Sequence, residues 1–193
     1  MEDAGNDQIT LRPAQAEDVP MMADLINGYA AQKLMLPRSE EQLLRHLPTF
    51  VVATDSGRVI GCVGLARLSV ELAEIRSLAV APEAQGRGVG RALVSFILQA
   101  ARESDITQVC ALTLRPHFFE VIGFQVIDRW EISPKIWQEC IYCSKFHHCD
   151  EIAVLLNLEE TAPASIQSPY RDQLVSMAVP VAWRRNFATA MGK

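Results

Sequence analysis

A mixed α/β fold, a central sheet flanked by helices on both faces, is what this 193-residue sequence predicts, and three observations carry it. Apolar runs of strand length interleave with stretches whose apolar residues recur at helical spacing. Short polar turns with glycine or proline separate them. The stretch AEIRSLAVAPEAQGRGVGRAL, residues 73–93, passes from a buried-strand pattern through Pro82 to Gly86, Gly88 and Gly90, and on into a helix pattern.

The elements follow in order. Ile9–Arg12 reads as a short strand, and Asp18 as the N-cap of a helix with Pro20 in its first turn and Met22, Leu25, Ile26 and Tyr29 on one face. Pro37 breaks the pattern, Arg38 stands exposed at the junction, and Ser39-Glu40-Glu41-Gln42 forms a capping box for a second short helix. Phe50–Thr54 and Val59–Leu65 are strands joined at Asp55-Ser56-Gly57, antiparallel to each other and next to a strand over Ala73–Val80. Leu93, Val94, Ile97, Leu98 and Ala101 keep helical spacing. Val109–Leu114 is a strand, Pro116–Ile122 a short helix stopped by Gly123, and Phe124–Ile127 another strand. Pro134–Glu139 is a short helix, and Ile152–Leu158 closes the sheet. Residues 1–158 form one domain in this reading. From Glu159 to residue 193 the composition becomes that of a linker and tail, mobile or docked on a neighbour.

With 49% hydrophobic residues the chain is globular, and its net charge of −5 argues against nucleic acid or an anionic membrane as partner. The polar start shows no secretory signal and no apolar run reaches about 18 residues, so a soluble cytoplasmic protein is expected. Five cysteines, an odd number, read as free thiols.

Strand, glycine loop and helix start make an anion cradle: glycines let the main chain approach closely, and the first free N–H groups of the helix point at the ligand. Arg87 and Arg91 add charge. QGRGVG lacks the Lys-Ser/Thr end of a P-loop, and no acidic residue closes a second strand to hold a dinucleotide ribose. It fits Q/R-x-x-G-x-G/A, and with SLAVAPEAQ before it and FFEVIGF after it the segment resembles the acetyl-CoA loop of the GNAT acetyltransferases.

That resemblance implies a GNAT fold, acetyl-CoA as cosubstrate without a required metal, and cofactor contacts from Gln85, Gly86, Arg87, Gly88, Val89, Gly90 and Arg91. Main-chain N–H groups of Leu78, Ala79 and Val80 would polarise the thioester carbonyl where the strand leaves its neighbour. Glu74 falls at the family's general-base position, where partial burial or a bridging water makes a carboxylate useful. Read without the family, it is a strand-end carboxylate paired with an arginine. Many members carry a tyrosine as general acid where this chain has Phe119, so Phe118 and Phe119 become packing residues or walls for the pantetheine arm, and the acid is unassigned.

LPRSEEQLL, ELAEIRSLAV, LTLRPHFFEVIGF and KIWQECIYCSKFHHCDEIAVLLNL narrow the resemblance to amino-acid N-acetyltransferases of the N-acetylglutamate synthase type. It implies an amino-acid amine as the small-molecule partner, glutamate first and glutamine next, and a place at the first step of arginine biosynthesis. Arg38, Arg76 and Ser77 are the substrate-binding candidates, with Lys145 behind them, because arginine holds carboxylates in bidentate fashion. Another amine, a non-catalytic acyl-CoA sensor and a homodimer stay open. Cys140, Cys143 and Cys149, with His147 and His148 between, could hold zinc, but so short a span favours free thiols. Cys62 and Cys110 read as core, and His117 as a residue that positions the helix after it.

Overall fold

The computed structural model describes residues 9–143 and 145–159. Seven strands form a mixed sheet in the order β1-β2-β3-β4-β5-β7-β6. They are β1 (Thr10–Pro13), β2 (Phe50–Asp55), β3 (Arg58–Arg67), β4 (Leu72–Val80), β5 (Gln108–Thr113), β6 (Gln125–Val126) and β7 (Ile152–Asn157). The helices are α1 (Val19–Ala31), α2 (Glu40–His46), α3 (Val89–Arg102), α4 (Pro116–Glu120) and α5 (Ser133–Gln138). Among the described residues no helix is long and apolar enough to cross a membrane. The tail expected beyond Glu159 lies outside the described residues.

The described chain divides into two compact units, residues 9–64 with 77–96, and residues 65–76 with 97–159. In the first, β1 and β2 run antiparallel, as do β2 and β3 across the two-residue turn Ser56-Gly57. Both turn residues have positive φ, 50° and 81°, which matches the twist of a tight hairpin. The α1 face formed by Val19, Met22, Ala23 and Ile26 packs with Leu43, Phe50, Val52, Val59, Cys62 and Ala79 into one core. The α2 capping box forms as the sequence predicts: Ser39 Oγ accepts from the Gln42 N–H and Gln42 Oε1 from the Ser39 N–H.

Asp18 does not cap α1 with its side chain. Its buried carboxylate takes both guanidinium nitrogens of Arg12, at 2.6 and 2.8 Å, and the Gln15 N–H. Burial pushes this carboxyl up, but Arg12 and the Gln15 amide outweigh it and hold it below its ordinary value. A bidentate partner on β1 wins over a cap because it satisfies both carboxylate oxygens at once.

In the second unit β5 pairs parallel with the start of β4, Leu72–Glu74 against Gln108–Cys110, and antiparallel with β7 along its whole length. The last strand does not close the edge as expected: β7 sits between β5 and β6. Its residues Ala153, Val154 and Leu156 are buried, whereas both residues of β6 are exposed, so the more apolar strand takes the interior place. Leu68, Leu72, Cys110, Ile132 and Ala153 form the core beside it.

Candidate active site

The glycine loop keeps the conformation its sequence implies. Gly86 and Gly88 have φ of 75° and 84°, and a Cβ on Gly86 would meet nothing within 4 Å, so glycine there serves backbone freedom and not space. The helix starts one residue earlier than the glycines suggest, at Val89, so Gly90 belongs to its first turn. Since the Ala92 N–H bonds to the Gly88 carbonyl, the N–H groups of Gly88, Val89, Gly90 and Arg91 have no partner within the helix. Four amides and the positive end of a four-turn dipole fit an anionic group such as a pyrophosphate. Arg91 is half-buried in the helix's first turn, while Arg87 gives Nη2 to Asp55 at 3.1 Å, which offsets its charge.

A tyrosine that the sequence offers only as an apolar helix position ties this loop to the sheet. Tyr29 Oη donates to the Val80 carbonyl and accepts from Gln85 Nε2 at 2.7 Å. Only the fold brings α1 to that spot; no local signal marks the hydroxyl.

β4 itself is kinked. Ser77 takes φ 52° in mid-strand, a left-handed conformation that costs a serine roughly 1–2 kcal/mol. The Cys62 thiol donates to its carbonyl at 3.6 Å. Beyond Ser77 the Ala79 carbonyl lies 3.2 Å from where a Gly61 Cβ would be, so Ala79 turns toward β3. Strand alternation then turns Leu78 and Val80 the other way, so of the three proposed amide donors these two share a side.

At the opposite end of β4, Glu74 is buried, with 4% of its surface exposed. Lys135 Nζ stands 2.9 Å from Oε2. Charge is the larger part of what holds this pair. Lys135 also bonds Glu139, one helical turn on, and Glu139 Oε1 receives Arg76 Nη1 at 3.2 Å. Burial pushes the Glu74 carboxyl above its ordinary value; Lys135 and Arg76 pull it down without cancelling that effect. Glu74 is thus paired, as the reading without the family had it, but chiefly with a lysine. Lys135 is the functional candidate the sequence reading missed. Its spacing from Glu139 is an ordinary i,i+4 pair, and only the burial of Ile132 and Ile136 on either side carries it inward.

The remaining candidates are placed as follows. Arg38 is half-buried, not exposed, and Asn27 clamps its peptide unit: Oδ1 accepts from the Arg38 N–H at 3.0 Å and Nδ2 donates to its carbonyl at 2.9 Å. Phe119 is buried edge-on against Phe118 and Phe124, as a packing residue would be, and Phe118 is half-buried. His117 is exposed and faces Glu120 at 3.6 Å, and Lys145 faces Asp150 at 3.7 Å. Cys140, Cys143 and Cys149 are half-buried free thiols, and among the described residues no three His, Cys, Asp or Glu side chains converge to hold a metal. Burial pushes the Cys62 thiol up to about 12 and raises Cys110 as well.

The chain is similar to known proteins over most of its described length. Residues 46–126 match the model of the acetyltransferase (GNAT) domain. The chain is 39% identical to an uncharacterized N-acetyltransferase of Chlorobaculum tepidum over 77% of its own length and 96% of that protein. It is 34% identical to an amino-acid acetyltransferase of Mycobacterium tuberculosis, over 67% and 75% of the two chains. Among solved structures, N-acetylglutamate synthase from Neisseria gonorrhoeae, complexed with coenzyme A and N-acetyl-glutamate, superposes with a TM-score of 0.69 at 28% identity, over 78% of this chain and 35% of that one. With the glycine loop at the start of α3, the kink in β4 and a relative matched over nearly its whole length, the chain belongs to the GNAT acetyltransferases.

Proposed function

We propose that this acetyltransferase acts on the α-amino group of an amino acid, with L-glutamate as the first acceptor and glutamine next, as the first step of arginine biosynthesis in the cytoplasm. Acetyl-CoA is the donor, and when bound it supplies an acetyl group already activated as a thioester. The observation that carries the reading is Glu74, a buried carboxylate with raised proton affinity set among the cations Lys135 and Arg76. It takes the proton that the amine must lose, directly or through a water. The amides of Leu78 and Val80 donate to the carbonyl oxygen as negative charge grows there. The loop amides from Gly88 to Arg91 hold the pyrophosphate, and Arg38, with its peptide fixed by Asn27, receives a substrate carboxylate. Attack by the amine is direct: Cys62 and Cys110 are buried with raised thiols and do not serve as acetyl carriers.

One observation favours a second reading, another amine as acceptor. Arg76 and Lys135 already share Glu139, so the charge around Glu74 is balanced before any acidic substrate arrives. Coenzyme A release measured over glutamate, glutamine, other amino acids and polyamines separates the two. Turnover confined to glutamate or glutamine, with KM for the amino acid raised in Arg38→Ala, is the expected result; preference for a polyamine sinks the amino-acid reading.

Tyr29→Phe tests the loop. It removes the hydrogen bonds to Val80 and from Gln85, each worth about 0.5–1.5 kcal/mol at most, the exposed Gln85 amide turning to water instead. KM for acetyl-CoA should rise by roughly 2–10-fold with KM for the acceptor unchanged. An unaltered acetyl-CoA KM would mean that the loop holds its shape without this tie.

A further inference from the structure

We propose that Lys135 is a positioning residue for the reaction, holding the Glu74 carboxylate ionised and in place inside the protein. The inference rests on the reading of Glu74 as the base. Both side chains are almost wholly inside, 11% and 6% exposed, and the charged atoms are 2.9 Å apart. Without a counter-ion a carboxyl so buried would keep its proton at neutral pH, and a protonated carboxyl cannot accept another from the amine.

The charged groups acting on Glu74 are Lys135 from α5, Arg76 on its own strand and Glu139 just after α5; Glu74 in turn raises Cys110 on β5 and Cys140 and Glu151 on the adjoining loop. Lys135 and Arg76 favour the ionised form, and Lys135 is the stronger influence and the one in contact. Glu139 works the other way on Glu74 while anchoring Lys135 from its far side.

The choice of lysine also matters. A guanidinium would offer a fork that occupies both carboxylate oxygens, whereas the single Lys135 ammonium sits on Oε2 and is shared with Glu139. Lys135 therefore supplies charge without closing the base.

The test is the pH dependence of kcat/KM for the wild type, Lys135→Met, Lys135→Gln, Lys135→Arg and Glu139→Gln, each checked for folding by thermal melting and for acetyl-CoA binding. In Lys135→Met the acidic limb should move up by roughly 1–3 pH units, with activity lost at neutral pH and recovered on the alkaline side. Lys135→Arg should keep the limb near its wild-type position but lower kcat. Glu139→Gln should move it down, because it removes a charge that raises Glu74; Lys135→Gln, neutral but polar, repeats the Lys135→Met test where the apolar variant does not fold. A limb that stays put in every folded Lys135→Met or Lys135→Gln preparation overturns the proposal, since a merely structural lysine would lower activity equally at all pH. Wild-type turnover in Glu74→Gln would instead overturn the base reading, and this inference with it.

Discussion

Glu74→Gln is expected to lose about 10²–10⁴-fold in kcat while still binding acetyl-CoA, because in the proposed role the amide keeps the shape of the side chain but cannot accept a proton. Stability should change far less. Ionised Glu74 is buried and its proton affinity is raised in the fold, so folding favours its protonated form. Whatever stability it adds is fully present below the ordinary carboxyl pKa and is lost as pH rises through the raised one. Removing that charge relieves a cost, and Lys135 keeps Glu139 as its counter-ion, so the ammonium is not stranded. With Glu74 as the proposed base, the same raised value should set the pH profile, with activity present above it and falling as the carboxyl gains its proton on the acid side. Single-turnover coenzyme A release, with melting temperature measured in parallel, checks the prediction; a variant that keeps more than about a tenth of wild-type kcat would remove Glu74 from the proton path.

The second large effect is steric. A Cβ on Gly61 of β3 would stand 3.0 Å from Leu93 Cδ1 and 3.2 Å from both Val89 Cγ1 and the Ala79 carbonyl. Leu93 can rotate aside, but Val89 begins α3 and Ala79 is backbone of the kinked strand. Gly61→Val must push the loop helix off the sheet or move the amides beside Ala79. Overpacking of this kind costs about 1–3 kcal/mol, which lowers the melting temperature by roughly 2–4 °C for each kcal/mol. KM for acetyl-CoA should rise with it, by about tenfold or more per 1.4 kcal/mol of lost binding. Gly61→Ala should give a smaller loss in the same direction. Gly28 in α1 is the contrast: nothing lies within 4 Å of its would-be Cβ, so Gly28→Ala should gain up to about 1 kcal/mol. Equal melting temperatures for the two alanine variants would mean that the space around Gly61 yields freely.

What was legible in the chain is what depends on neighbours in sequence. The glycine spacing gave the loop because positive φ and free helix amides are local properties, and Ser39 with Gln42 gave a cap for the same reason. Glu74 could be placed at the start of its strand, but its partner could not, since Lys135 reaches it only once β4, β5 and α5 are packed. Asp18 looked like a cap until β1 brought Arg12 to it. The place of β7 was readable in principle: IAVLLN is a nearly continuous apolar run, the mark of an interior strand, while Gln125-Val126 is too short and polar to be one. The kink at Ser77 had no signal in the residue itself, because serine does not announce a left-handed backbone; only the family resemblance placed a divergence of the strand there.

The pairing of Glu74 with a residue so far downstream sets an order of events during synthesis. A nascent chain that has emerged as far as β5 already contains β4, the glycine loop and α3. Glu74 at that moment has Arg76 on its own strand but lacks Lys135, which comes with α5. The setting proposed for its role in proton transfer is therefore completed only when α5 is added, and a chain truncated before α5 carries the glycine loop with a carboxylate that lacks its lysine.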